Sequence, residues 1–158
     1  MKRNRHSGLY KQEGFSIIEM LVVLFIIAIL AGIAIPVYIS MKPVIRLSGA
    51  TRHLMEDLMW ARIQAINQNN EFRIIYDSNH EYRIWDDDNN DGIIDATETK
   101  IKKDLHDKYD DVIYSSSNTN GLIFYPRGNA ANLTTITLSN KSGIKMVSVA
   151  ITGRVKKQ

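Results

Sequence analysis

From Phe15 to Ile35 the chain carries only two clearly polar side chains, Ser16 and Glu19. As a helix this stretch would rise about 32 Å, close to the hydrocarbon thickness of a bilayer. It is long enough to span a membrane. Lys2, Arg3, Arg5 and Lys11 precede it, whereas only Lys42 and Arg46 follow soon after. The positive-inside tendency then puts residues 1–14 in the cytoplasm and the rest of the chain across the membrane.

A secretory signal peptide would be cut after the apolar run, and the small residues at 31–34 look like such a site. Glu19 argues against that reading. A carboxylate in a membrane helix costs up to about 2.5–3.5 kcal/mol on insertion scales, so it calls for a partner. If the chain is cut between Gly14 and Phe15, the new ammonium of Phe15 lies roughly 6 Å of helix rise from Glu19. Within one chain the pair is a neutralisation. Between chains, Glu19 of one subunit would meet the Phe15 amine of its neighbour and set axial register, since low dielectric makes a mismatch costly.

Gly14-Phe15-Ser16-Ile17-Ile18-Glu19-Met20-Leu21, with its basic leader and apolar continuation, resembles the class III signal of type IV pilins and type II secretion pseudopilins. The resemblance implies that a prepilin peptidase cuts between Gly14 and Phe15 and methylates the Phe15 amine. It also implies a single-pass inner-membrane protein with a periplasmic C-terminal domain, whose partners are an inner-membrane assembly platform and other pilins or pseudopilins, met through the N-terminal helix. Pro36 stands where such proteins commonly carry a helix-disturbing proline. Its missing N–H and ring clash predict a kink or local melting there, and Pro43 is a further expected break.

The chain has 158 residues, enough for one soluble domain plus an appended segment. Without cysteine it has neither a disulfide framework nor a thiolate nucleophile or metal ligand. The formal net charge of +3 resides in the leader, where Lys2, Arg3, Arg5 and Lys11 outweigh Glu13. Beyond the leader acids and bases balance, but unevenly: after Asp111 there is no acid, only Arg127, Lys141, Lys145, Arg154, Lys156 and Lys157. Such segregation can steer a partner or pair successive subunits, and it is also what a solvated face looks like.

Four segments follow: a leader at 1–14, a transmembrane and assembly helix at 15–36, an amphipathic helix at 37–70 and a β-rich periplasmic domain at 71–158. Val44, Leu47, Thr51, Leu54, Leu58, Ala61 and Ala65 recur at helical spacing, with Met55, Met59 and Ile63 broadening the stripe as core filling. The period then changes. Short strands are expected at 72–76, 81–85, 100–105, 112–114, 122–125, 134–138 and 145–151, with a hairpin turn at Asn140-Lys141-Ser142-Gly143. The fold class is therefore α+β, a long N-terminal helix on antiparallel sheet. Leu58, Ala61-Arg62, Ala65-Ile66 and Asn69, then Ile123-Phe124-Tyr125-Pro126-Arg127-Gly128, residues 134–138 and Gly153-Arg154-Val155, are similar to the GspH/FimT branch of minor pseudopilins and minor pilins. That resemblance implies a helix spine packed on a β-sandwich, and a structural role in filament initiation or tip assembly.

Two further patterns bear on binding. Residues 87–98 satisfy the twelve-position calcium-loop pattern D-x-[DN]-x-[DN]-G-x5-E. Its oxygen donors would be Asp87, Asn89, Asp91, the Ile93 carbonyl, Asp95 and a bidentate Glu98, with Gly92 at the turn. Strands rather than helices flank the loop, and an Asp/Asn/Gly-rich hairpin tip is also ordinary turn chemistry. Calcium is a candidate ligand that the structural role does not require. At the C-terminus, Gly153-Arg154-Val155-Lys156-Lys157 resembles the Gly-Arg-x-Arg tail with which some minor pilins bind DNA, with Lys156 in place of the second Arg. Arg154, Lys156 and Lys157 are the candidate DNA contacts; the competing reading is a solubilising tail. His53, His80 and His106 are scattered and read as surface histidines. Trp60 and Trp85 are expected in the core or at a subunit contact. No nucleophile–base motif, phosphate loop or zinc spacing appears, so the chain is not expected to be an enzyme.

Overall fold

The computed structural model describes residues 14–158 of the chain; the leader expected at 1–14 lies outside the described residues apart from Gly14. A single helix, α1 (Ile17–Gln68), is followed by eight strands: β1 (Glu71–Tyr76), β2 (Glu81–Asp87), β3 (Lys100–Asp104), β4 (Ile113–Ser116), β5 (Leu122–Phe124), β6 (Thr134–Asn140), β7 (Gly143–Val149) and β8 (Val155–Lys157). A 3-10 turn, Leu105–Asp107, separates β3 from β4. The chain divides into two compact units, Met1–Ile39 and Ser40–Gln158.

The local melting expected at Pro36 and the break expected at Pro43 are corrected: α1 runs as one helix through both prolines. Each proline removes one backbone N–H bond, but its fixed φ is itself helical, and the unbroken ladder on either side holds the intervening turns. The end of α1 falls where the sequence places it, because Asn69 adopts φ 60° and caps the helix in the left-handed region.

In the second unit, α1 buries Leu47, Ala50, Leu54, Leu58, Ala61 and Ala65, a stripe of threes and fours. The expected stripe was too wide. Val44, Met59 and Ile63 are exposed, and Met55 alone of the broadening residues packs on the core. The strands form two antiparallel four-stranded sheets, ordered β3-β2-β1-β5 and β4-β6-β7-β8. Alternation supplies their inward side chains: Phe72 and Ile74 from β1, Tyr82 and Ile84 from β2, Ile136 and Leu138 from β6, Val147 and Val149 from β7. These join the helix stripe in one hydrophobic cluster.

Asn140 pairs with Gly143 around Lys141-Ser142, as the turn chemistry implies. Its side chain also donates to the Pro43 carbonyl at 2.9 Å and to Asp111 at 3.0 Å, anchoring the hairpin to the helix. β8 was not expected as a strand. Its three residues, Val-Lys-Lys, are too few to carry an alternation signal, yet they pair with β7 from Val147↔Lys157 to Val149↔Val155.

Candidate functional site

The N-terminal unit is where the sequence places processing and assembly. Gly14 and Phe15 precede the helix, and Phe15 is exposed. Ser16 stands just before the first helical residue and Glu19 three residues into the helix, the spacing of a capping box, and an acid in the first turn suits the positive end of the helix dipole. Behind Glu19, the side chains of Met20, Leu24, Ile27, Leu30 and Ile35 are all exposed, as are those between them on the other faces apart from the half-buried Ala31. Pro36 is exposed as well. The segment is long and apolar enough to cross a membrane, and none of its apolar window is buried by the protein. An apolar helix that finds no internal core takes lipid or other helices as its surroundings.

The acidic loop joins β2 to β3. Asp87 is fully buried; its Oδ1 accepts the Asp91 N–H at 3.1 Å, and its Oδ2 accepts the Gly92 N–H at 3.0 Å and Arg73 Nε at 2.7 Å. Asn89 Oδ1 accepts the same Asp91 N–H at 2.9 Å, and Asp91 Oδ1 accepts the Ile93 N–H at 2.7 Å. Asn89 Nδ2 lies 3.0 Å from Asp91 Oδ2 and 3.3 Å from Asp95 Oδ2. Glu98 closes the loop, its Oε2 accepting Trp85 Nε1 at 2.7 Å and the Asp95 N–H at 2.9 Å. The left-handed positions are Asn90 and Gly92. All six sequence-predicted positions therefore lie on one loop, with Asp87 and Glu98 buried at its neck. Neighbouring Asp86 has its pKa raised, first by burial and then by Asp88, Glu98 and Asp87, against a lowering bond from Asn70.

The C-terminal cations do not form a free tail. Val155 is buried, whereas Arg154, Lys156 and Lys157 are exposed. Strand alternation sends Lys156 and Lys157 to opposite faces of the sheet, and Lys157 lines a small groove with Ser48, Arg52 and Glu56 of α1. None of the six cations after Asp111 takes part in an ion pair among the described residues. Gly153-Arg154 has a structural duty too. Arg62 Nε donates to the Gly128 carbonyl at 2.7 Å, and its Nη2 reaches the Thr152 carbonyl at 3.4 Å, stapling two loops to the helix. Gly153 at φ 76° is so tightly enclosed that a Cβ would lie 1.9 Å from the Gly128 oxygen.

The reading of His80 and His106 as scattered surface residues is corrected. β2 pairs with β3 so that Glu81 faces Asp104, which brings the residues flanking that pair together. His80 Nδ1 lies 2.9 Å from Asp104 Oδ1, the His106 backbone N–H donates to the same oxygen at 2.7 Å, and the two rings stack 4.0 Å apart. The His80 bond and then the His106 N–H hold the Asp104 carboxyl below its ordinary pKa. Because His106 Nε2 meets the Val112 carbonyl, the cluster acts as a clamp on the 3-10 turn. Drawing the β2/β3 register on the sequence would have found it. Asp57, buried on α1, was also missed; it accepts Tyr82 OH at 2.5 Å and Lys103 Nζ at 3.0 Å, pinning the helix to the first sheet. Of the tryptophans, Trp85 is buried and Trp60 is partly exposed, edge-on to Phe72.

The family model described as type II transport protein GspH matches residues 50–153, and that of the prokaryotic N-terminal methylation motif matches residues 9–35. The chain belongs to the GspH family. This GspH-family fold is similar to the crystal structure of the type IV minor pilin FimU of Pseudomonas aeruginosa, at 17% identity and a TM-score of 0.56, covering 71% of this chain and 87% of that one. It is also similar to the minor pseudopilin EpsH from the type 2 secretion system of Vibrio cholerae, at 10% identity and a TM-score of 0.54, covering 72% of this chain and 96% of that one. A comparison with curated proteins gives no match. The solved structures establish the shared fold of a long helix packed on antiparallel sheets.

Proposed function

We propose that the chain is a structural minor subunit of a type II secretion pseudopilus or a type IV pilus, acting in filament initiation or at the tip rather than as an enzyme. The observation that carries this reading is the N-terminal unit: an all-round apolar helix with no internal core, one acid in its first turn, and a methylation motif over residues 9–35. In this reading a prepilin peptidase cuts after Gly14 and methylates Phe15, and the helix waits in the inner membrane with the second unit in the periplasm. An assembly platform then moves it into a filament, where neighbouring helices replace lipid. Extraction therefore need not expose apolar surface to water. The Phe15 amine and Glu19 neutralise each other between subunits and set register.

Glu19→Val tests the assembly step. Insertion and cleavage should persist while incorporation into filaments falls, scored by membrane fractionation and by cross-linking to other subunits; normal incorporation would remove the register argument. The unpaired C-terminal cations keep a DNA-binding role open to a separate measurement. A gel shift over a salt series should show salt-sensitive, sequence-independent retention if Arg154, Lys156 and Lys157 bind phosphates. No retention at low salt removes DNA from the reading.

A further inference from the structure

Two buried carboxylates, Asp87 and Glu98, stand at the neck of the 87–98 loop, with Arg73 bonded to Asp87 and Lys100 Nζ bonded to the Asp95 carbonyl. Trp85 faces Lys100 in the β2/β3 ladder, and the Asp86 N–H donates to the Thr99 carbonyl at 3.0 Å. The paired register ends there, so Glu98 lies just beyond β3 while Asp87 is the last residue of β2. On the other side, Glu71 pairs with Asp87 across β1. Two carboxylates thus stand side by side across β1 and β2, and Arg73 bridges them, bonding Glu71 and Asp87 at 2.7 Å each. Like charges directly opposite on a sheet are destabilising, and Arg73 offsets the Glu71/Asp87 pair.

Glu98 supplies an independent observation. The residue is only 7% exposed, and one carboxylate oxygen, Oε2, has two donors. The other, Oε1, is buried with no hydrogen-bond partner. Leaving an ionised oxygen desolvated and unpaired is costly, and native proteins rarely tolerate it without a ligand. Here the orphan oxygen belongs to the residue that a calcium loop uses for bidentate coordination at its twelfth position. On the same loop, Asn89 Nδ2 sits within 3.3 Å of both Asp91 and Asp95 oxygens, so the donors at positions three, five and nine lie side by side.

We infer that the 87–98 loop is a calcium site, with Asp87, Asn89, Asp91, the Ile93 carbonyl, Asp95 and Glu98 as its oxygen ligands, carried on two antiparallel strands. The β2/β3 ladder, which ends at Trp85↔Lys100, brings the two ends of the loop together, the work that flanking helices do elsewhere. The Asp87 bonds to the Asp91 and Gly92 N–H groups coil the intervening loop. A ring of six or seven oxygens on a flexible loop, one of them bidentate, suits calcium; magnesium demands a compact octahedron and gives up its waters reluctantly. The ion would tie β2 to β3 and fix a loop on the first sheet, independently of whether the subunit assembles.

The test uses the full chain in detergent, stripped with a chelator and titrated with calcium chloride or magnesium chloride. The readouts are calorimetry, thermal unfolding and the emission of Trp85, whose indole bonds Glu98. Saturable calcium binding, a rise in Tm and a weaker response to magnesium are expected. Glu98→Gln removes the buried unpaired charge, so without metal it should be at least as stable as the parent while losing the calcium response. Asp95→Asn, an exposed change, should weaken calcium binding about tenfold with the metal-free Tm unchanged. The proposal is overturned by absence of heat and Tm shift at about 5 mM calcium, above the range in which extracellular calcium modules saturate. An equal response to magnesium, or a calcium response retained in both variants, overturns it as well.

Discussion

Leu24 and Leu58 occupy the same helix, yet Leu24 is 58% exposed and Leu58 is fully buried. Leu58 belongs to a stripe that joins one core with residues of both sheets, while the outer face mixes Arg52, Glu56 and Gln68 with exposed Met59 and Ile63; Leu24 belongs to an apolar segment that none of the described residues of its own unit covers. Continuous backbone hydrogen bonding thus says nothing about what stabilises each part. The helix of the second unit is held by its own protein core, and that of the first awaits surroundings from outside the chain.

The sharpest break of this contrast is a pair of equal truncations. Leu58→Ala should cost about 2–5 kcal/mol in chemical unfolding of the full chain in detergent, as a cavity in a packed core does. Leu24→Ala should leave that transition in place. A comparable loss at Leu24 would show that the two halves are held in the same way. Next in size is Gly153→Ala, which forces φ 76° on a residue with a Cβ and drives it into the Gly128 carbonyl. A loss of about 2–3 kcal/mol is expected, with the Arg62 staple broken.

Smaller is the effect of Tyr82→Phe. The Tyr82 hydroxyl is kept neutral by burial and then by Asp57, so its pKa is pushed far up. That raised value contributes stability at neutral pH, which drains away as the pH rises past about 10, where the unfolded tyrosine ionises. Removing the hydroxyl should cost about 1–2 kcal/mol at pH 7 and flatten the alkaline limb of a Tm-against-pH curve. Smallest is the Asp104 clamp. Its depressed pKa means stability present above the ordinary carboxylate range and lost as pH falls through the folded value. Asp104→Asn should reduce the acid sensitivity of the second unit only slightly, and no change in the N-terminal unit is expected.

Much of the fold was legible because its signals are local. The helix stop near Asn69, the alternation of β1, β2 and β6, the Asn140–Gly143 hairpin and the calcium-loop pattern each depend on neighbours in sequence. What escaped depends on pairing between distant residues. β8 is a strand only because β7 offers it an edge, and His80 meets Asp104 and His106 only through the β2/β3 register. The exposure of Met59 and Ile63 could not be read from an apolar stripe, since a stripe says how wide a face is, not how much of it the sheets cover. The prolines misled for the opposite reason: the local penalty is real, but one missing bond does not outweigh the ladder around it.

Composition alone determined that residues 15–35 would be apolar on every side, that Glu19 would be the acid among them, and that no cysteine would brace the domain. Those properties need no partner to exist. Only the tertiary structure decided that Arg62 would staple Gly128 and Thr152, that Asp57 would meet Tyr82, and that Glu98 would meet Trp85 with its other oxygen unpaired. Each of these is a contact between segments far apart in the chain. Their energies come from burial and desolvation, which arise only once the sheets have closed over the helix.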